Sequence, residues 1–218
     1  MIEINAIISG YLRIEQDTEA NSDEAKRFDI SAIDFDILRR EFAKVKHKNL
    51  VLRDLEEAIK QKLDSMLFAN PDRIDYYERY RKIIEEYNGE QDRATIEKTF
   101  MELTNLANSL NEEEQRYVRE GFTSDEELSV YDMLFRDDLS KSDIKKLKSV
   151  SAALLHQIKD KIAELDHWTD KQETKAAVDN LIRDVLWTEL PECYDELSIS
   201  SYRQKIYEFV YTRYKDIA

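Results

Sequence analysis

Side chains able to do chemistry are plentiful in this chain, but their types and spacing do not converge on one site. His47, His156 and His167 are too scattered to suggest a ligand set, and each reads as a surface or capping residue. Cys193 is the only thiol, which excludes an internal disulfide and leaves no second cysteine for a zinc site. Glu24 and Lys26 spell the E-x-K found in metal-dependent nucleases, without the strand and upstream aspartate that such a site needs. In a chain this rich in Glu and Lys the match carries no weight. The carboxylate runs at 112–114 and 125–127 fall near helix ends, where they meet the macrodipole or face solvent. No GxxxxGK[ST] loop, GxSxG elbow, HExxH pair or glycine-rich dinucleotide fingerprint occurs. The expected sets of catalytic, cofactor-binding and metal-binding residues are therefore empty.

Two clusters remain that could bind a partner. Positive charge collects once, at Arg39, Arg40, Lys44, Lys46, His47 and Lys48. Its functional reading is phosphate contact, with Arg39, Arg40, Lys44, Lys46 and Lys48 as candidate DNA ligands; its plain reading is a solvated helix face paired with nearby acids. The formal net charge of −14 repels nucleic acid and anionic membranes at long range, so any DNA contact must be local. The second cluster is tyrosine-rich. Ile199, Tyr202, Ile206, Phe209 and Val210 make one face of a terminal helix, and Tyr207, Tyr211 and Tyr214 add a second, a candidate docking face for a partner protein. Tyr77, Tyr80 and Tyr87 at similar spacing upstream read as half-buried core.

Helices must position these residues. With 3 glycines and 2 prolines among 218 residues there is little material for hairpin turns, and Leu, Ile, Glu, Lys and Arg dominate. The fold expected is all-α, an irregular multi-helix bundle of about eight to nine helices with no sheet. A first helix is expected over 3–16 and an acidic loop over 17–29. A short helix follows from Asp34 with Ile37, Leu38 and Phe42, then a longer one through Leu52, Leu55, Ile59, Leu63 and Met66 to Asn70. Asn70-Pro71 starts a helix bearing Ile74, Tyr77, Tyr80, Ile84 and Tyr87.

The most patterned stretch runs from Asp92 to Leu134. Ile96, Phe100, Leu103, Ala107 and Leu110 form the seam of one long helix that Gly121 ends in the left-handed conformation. Thr123 with Glu126, or Ser124 with Glu127, then makes a capping box that starts a new helix, so Gly121, Thr123, Ser124, Glu126 and Glu127 read as a structural joint. Farther on, Ser140 or Ser142 caps a helix with a seam from Ile144 to Leu165, Thr169 and Gln172 box the next, and Ser198 caps the last.

The run LTNLANSLNEEEQRYVREGFTSDEELSVYDML, Leu103 to Leu134, resembles the C-terminal helical region of the restriction (R) subunit of bacterial type I restriction-modification enzymes. Its hallmark turn is matched by Glu120, Gly121, Phe122, Thr123, Ser124, Asp125, Glu126 and Glu127, followed by Tyr131, Asp132 and Leu134. The likeness extends through IEINAI (Ile2 to Ile7), HKNLVLRDLEEAIKQKL (His47 to Leu63) and IIEEYN (Ile83 to Asn88). It continues in AAVDNLIRDVLW, LPECYDE and SSYRQKIYEFVYTRY toward the end of the chain.

The resemblance implies a parent with a metal-dependent nuclease domain and two RecA-like motor domains that use ATP and Mg2+ to translocate duplex DNA. None of their motifs occurs here, so this chain is expected to be non-catalytic and to hold no cofactor of its own. The start, MIEINAII, lies directly inside an apolar periodic stretch and suggests a fragment. Two parts are expected: residues 1–90 as a helical connector that follows the motor domains, and residues 91–218 as a C-terminal bundle. Expected partners are the methyltransferase (M) and specificity (S) subunits, the motor domains of the same subunit and, through the basic run, DNA; no membrane partner is expected. A freestanding acidic helical adaptor is the alternative. The absence of an apolar run long enough to cross a bilayer and of a charged leader makes the cytoplasm the expected location.

Overall fold

The computed structural model describes residue 30 and residues 33–89 and 92–215. Among them are nine α-helices and no strand: α1 (Phe35–Phe42), α2 (Lys48–Ala69), α3 (Ile74–Gly89), α4 (Arg93–Glu114), α5 (Arg116–Glu120), α6 (Asp125–Leu134), α7 (Lys141–Ala163), α8 (Gln172–Glu189) and α9 (Glu196–Tyr214). The expected helix over 3–16 and loop over 17–29 lie outside the described residues. Two compact units, Met1–Arg116 and Tyr117–Ala218, each have a core of their own. The compact units thus divide after Arg116 rather than after residue 90, because the apolar face of α4 is buried with α2 and α3.

In the first unit α4 packs along both α2 and α3, and α1 lies against α4. The three-four spacing of Leu52, Leu55, Ile59 and Leu63 on α2 meets Phe100, Leu103, Ala107 and Leu110 on α4, and all eight are buried. Phe42 of α1 stacks on Phe100 with ring centroids 3.6 Å apart. Asp34 caps α1 by accepting from the amides of Asp36 and Ile37, each at 3.0 Å, and Asp92 caps α4 by accepting from Thr95 at 2.6 Å. Asn70, wholly buried, accepts from the Asp72 amide, and Pro71 opens a single 3-10 turn, Pro71–Arg73, that leads into α3.

The inward face of α3 carries Tyr77, Tyr80, Ile84 and Tyr87 as expected and departs from the expected one at Ile74. Ile74 is 50 % exposed, and the inward side is made by buried Tyr80 with half-buried Tyr76, Tyr77, Ile83, Ile84 and Tyr87. Steps of three residues drift around a helix of 3.6 residues per turn, which leaves Ile74 well off the line through Tyr80.

In the second unit α6 packs on α7, α7 on α8, α8 on α9 and α9 back on α6, a closed ring of four helices. Leu128, Leu134, Leu147, Leu154, Ile158, Val178, Ile182, Leu186, Ile206 and Val210 fill it. Trp168, in the α7–α8 connection, is wholly buried, and its indole Nε1 donates to the Tyr214 carbonyl at 2.8 Å.

Three local expectations are corrected. The long helix that was to reach Gly121 is interrupted at Gln115, so α4 stops at Glu114 and a separate turn, α5, leads to the glycine. Thr169 and Gln172 form no capping box: α8 starts after Lys171, which makes no side-chain cap, and Thr169 Oγ1 donates instead to the Lys215 carbonyl at 3.4 Å. The last helix is capped by Asp195, which accepts from the Ser198 amide at 2.8 Å, so Ser198 sits inside the first turn it was expected to cap. An extended aspartate three residues upstream starts the helix earlier, and the Ser198 amide becomes one of the donors it caps. Ser140 does cap α7, in a reciprocal box with Asp143.

Candidate interaction surfaces

The joint forms largely as its residue types dictate. Gly121 has φ +84°, and the amides of Gly121 and Phe122 donate to the carbonyls of Val118 and Tyr117 at 3.1 and 2.9 Å. This is the Schellman arrangement, in which a left-handed residue lets the chain satisfy the last carbonyls of a helix. Ser124 then caps α6 by accepting from the Glu127 amide, while the Glu127 carboxylate accepts from the Thr123 amide at 2.8 Å and from its hydroxyl at 2.7 Å. Glu126 takes no part in the cap. It faces Lys159 and Arg213, and Arg213 Nε donates to it at 2.7 Å. Burial works against the charged form of Glu126, yet hydrogen bonds from these two cations hold its pKa below the usual glutamate value. Its neighbour Tyr214 is pushed the other way, by burial and by the negative charge of Glu126.

The basic run is split by the fold. Arg39 is an internal tie, its guanidinium donating to Thr104 Oγ1 at 3.3 Å and to Asn105 Oδ1 at 2.8 Å. Arg40 donates to the Asp36 carbonyl, and Lys44 pairs with Glu41 at 2.7 Å. Lys46 and Lys48, in contrast, line a groove of about 530 Å³ where α2 and α4 begin, together with His47 and a residue absent from the sequence candidates, Arg93. Lys48 meets Glu97 at 2.5 Å, and Arg93 meets the same carboxylate at 3.3 Å. Arg93 had a legible signal: it is a cation at the first position of a helix with no acid in its first turn.

The tyrosine face is mostly turned inward. Tyr214 is buried, its carbonyl holding Trp168, while Tyr207 and Tyr211 lie edge-on to the Trp168 ring with centroids 6.3 and 5.8 Å away. Of the three, Tyr211 has the most surface open, 38 %. The large apolar side chains left in solvent on this unit include others: Val118 and Phe135 near the joint and the end of α6, Trp187 on α8, 59 % exposed, and Leu197 on the first turn of α9, 83 % exposed. A helical wheel places Trp187 and Leu197 each opposite the buried face of its own helix, and that pattern could have singled them out.

Among the described residues no group of three or more His, Cys, Asp or Glu is placed to hold a metal ion, and no helix is long and apolar enough to cross a membrane. What the arrangement offers is surface for binding: a cationic groove on one unit and solvent-facing apolar side chains on the other.

A family model for type I restriction enzyme HindI endonuclease subunit-like proteins, C-terminal, matches residues 17–197. No curated protein and no solved structure matches the chain.

Proposed function

Because the chain belongs to the family of C-terminal regions of type I restriction enzyme HindI endonuclease subunit-like proteins, we propose that it is a non-catalytic helical module that braces the motor domains of its parent subunit and docks that subunit onto the methyltransferase and specificity subunits. The ATP- and Mg2+-dependent chemistry of the parent is assigned to the other domains of that subunit. The observation that carries docking is the pair Trp187 and Leu197, large apolar side chains held in solvent on helices whose opposite faces are already in a closed core. Tryptophan is among the side chains that carry a large share of binding energy at protein interfaces, and Leu197 adds apolar area on the next helix. Tyr211, and the open edge of Tyr207, remain available to the same partner; Tyr214 acts from inside the bundle.

Deleting 198–218 would not test docking, since α9 supplies Ile199, Ile206, Phe209 and Val210 to the core. The informative variant is Trp187→Ala with Leu197→Ala in the full subunit. Assembly with the methyltransferase–specificity complex should weaken by about tenfold or more, with the helical content of the module unchanged. Wild-type affinity in that variant removes the docking role from this surface.

A second reading, contact with DNA, is favoured by one observation: the groove that gathers Lys46, His47, Lys48 and Arg93 in a chain otherwise strongly acidic.

A further inference from the structure

We propose that the groove at the starts of α2 and α4 contacts the phosphate backbone of duplex DNA through Lys46, Lys48 and Arg93, with His47 beside them. This deepens, and rests on, the DNA reading above. The groove joins residues 47 positions apart in sequence, and its floor includes Val45 and Ile96. Its charge is incompletely neutralised. Glu97 alone faces both Lys48 and Arg93, and Lys46 has no ion pair among the described residues.

The two helices that open here also depart from the rest of the chain. Every other described helix of eight residues or more has an acid in its first turn: α1, α3, α6, α7, α8 and α9. In α2 and α4 there is none, and the first residues are Lys48 and Arg93. Cations at helix starts oppose the macrodipole; the Asp92 carboxylate at the N-cap offsets this in α4, whereas α2 opens on Lys48 with neither a side-chain cap nor a first-turn acid.

The kind of ligand follows from what lines the groove. Flexible ammonium and guanidinium groups suit phosphate oxygens, which carry charge regardless of base sequence. No Phe, Tyr or Trp lines the groove to give an unpaired base a broad stacking platform, so a duplex backbone fits it better than a single strand does. Arg39, Arg40 and Lys44 have partners elsewhere and are left out of the contact set.

The test is binding of the whole chain to a short labelled duplex, followed by fluorescence anisotropy over a series of KCl concentrations. Wild type should bind with an affinity that falls as salt rises. Lys46→Ala with Arg93→Ala should lower the slope of log K against log [salt] by about 2, and Lys46→Gln alone by about 1. Lys46→Arg with Arg93→Lys should restore it. Both positions are exposed, so circular dichroism should match wild type throughout. If the double alanine variant keeps the wild-type slope while wild type still binds, the groove is not the contact and the DNA reading survives without it. If wild type shows no salt-dependent duplex binding at low salt, the DNA reading itself falls. Binding to an acidic peptide but not to the duplex overturns the assignment in favour of a protein partner.

Discussion

Arg73 and Glu113 form an ion pair almost closed to water: Nε donates to Oε1 at 3.1 Å, with 4 % and 8 % of the side chains exposed. Glu113 also accepts from Arg116 at 3.0 Å and from the Tyr76 hydroxyl at 3.4 Å, so the pair ties the turn before α3 to the end of α4. Removing one member of a buried pair leaves the other desolvated, which costs far more than the pair itself contributes. Glu113→Ala should destabilise the chain by about 3 kcal/mol, read from urea midpoints. Arg73→Met with Glu113→Leu should recover much of that loss. A double variant as unstable as the sum of the two single ones would show that the pair is not coupled in this way.

Gly121 offers a cleaner case, because a Cβ built there would meet nothing within 4 Å. Any penalty for a side chain must come from the backbone at φ +84° and not from collision. Gly121→Ala should cost about 1 kcal/mol and Gly121→Val more, whereas Gly121→Asn, which tolerates the left-handed region, should cost less than either. Equal stability of the alanine and glycine forms in thermal unfolding would contradict a strained position.

How far this was legible beforehand depends on what kind of pattern carried the feature. Periodicity exposed the α2 and α4 seams, and the Gly121 stop and the Ser124 and Ser140 caps followed from short-range chemistry that residue types declare by themselves. Cap positions with two nearby candidates were less determinate: Asp195 starts α9 three residues before Ser198 could, accepting from the Ser198 amide, and only the chain path decides between them. The function of Arg39 was not readable, since the partners that occupy it, Thr104 and Asn105, lie more than sixty residues away. The groove was half legible for the same reason: Lys46 and Lys48 stand in one run, while Arg93 arrives through the packing of α4 on α2. Tyr207, Tyr211 and Tyr214 look like an outward face on a wheel, and the buried Trp168 turns that face inward.

Glu126 should make the second unit acid-sensitive. Its folded pKa is lowered from the ordinary 4.5, so the charged form stabilises the fold above about pH 4.5, and this contribution is lost as pH falls through the lowered value. Glu126→Gln should remove that part of the pH dependence, bringing variant and wild type closer in stability at low pH than at neutral pH. A wild-type minus variant difference that stays constant from pH 7 down to about 3 would show that Lys159 and Arg213 do not act through its charge.

Arg39 separates the structural reading of the basic run from the DNA-contact reading. It has 26 % of its side chain exposed and makes two long-range hydrogen bonds to α4, so its loss should loosen α1. Arg39→Ala should therefore lower stability by about 1 kcal/mol, less than a fully buried charged hydrogen bond because water reaches the site. Lys46→Ala, at an exposed position with no ion pair among the described residues, should leave stability within about 0.5 kcal/mol of wild type. Hydrogen exchange of the amides in α1 should accelerate in the first variant and not in the second. If the two variants behave alike, Arg39 is a surface charge like its neighbours and belongs back among the candidate phosphate contacts.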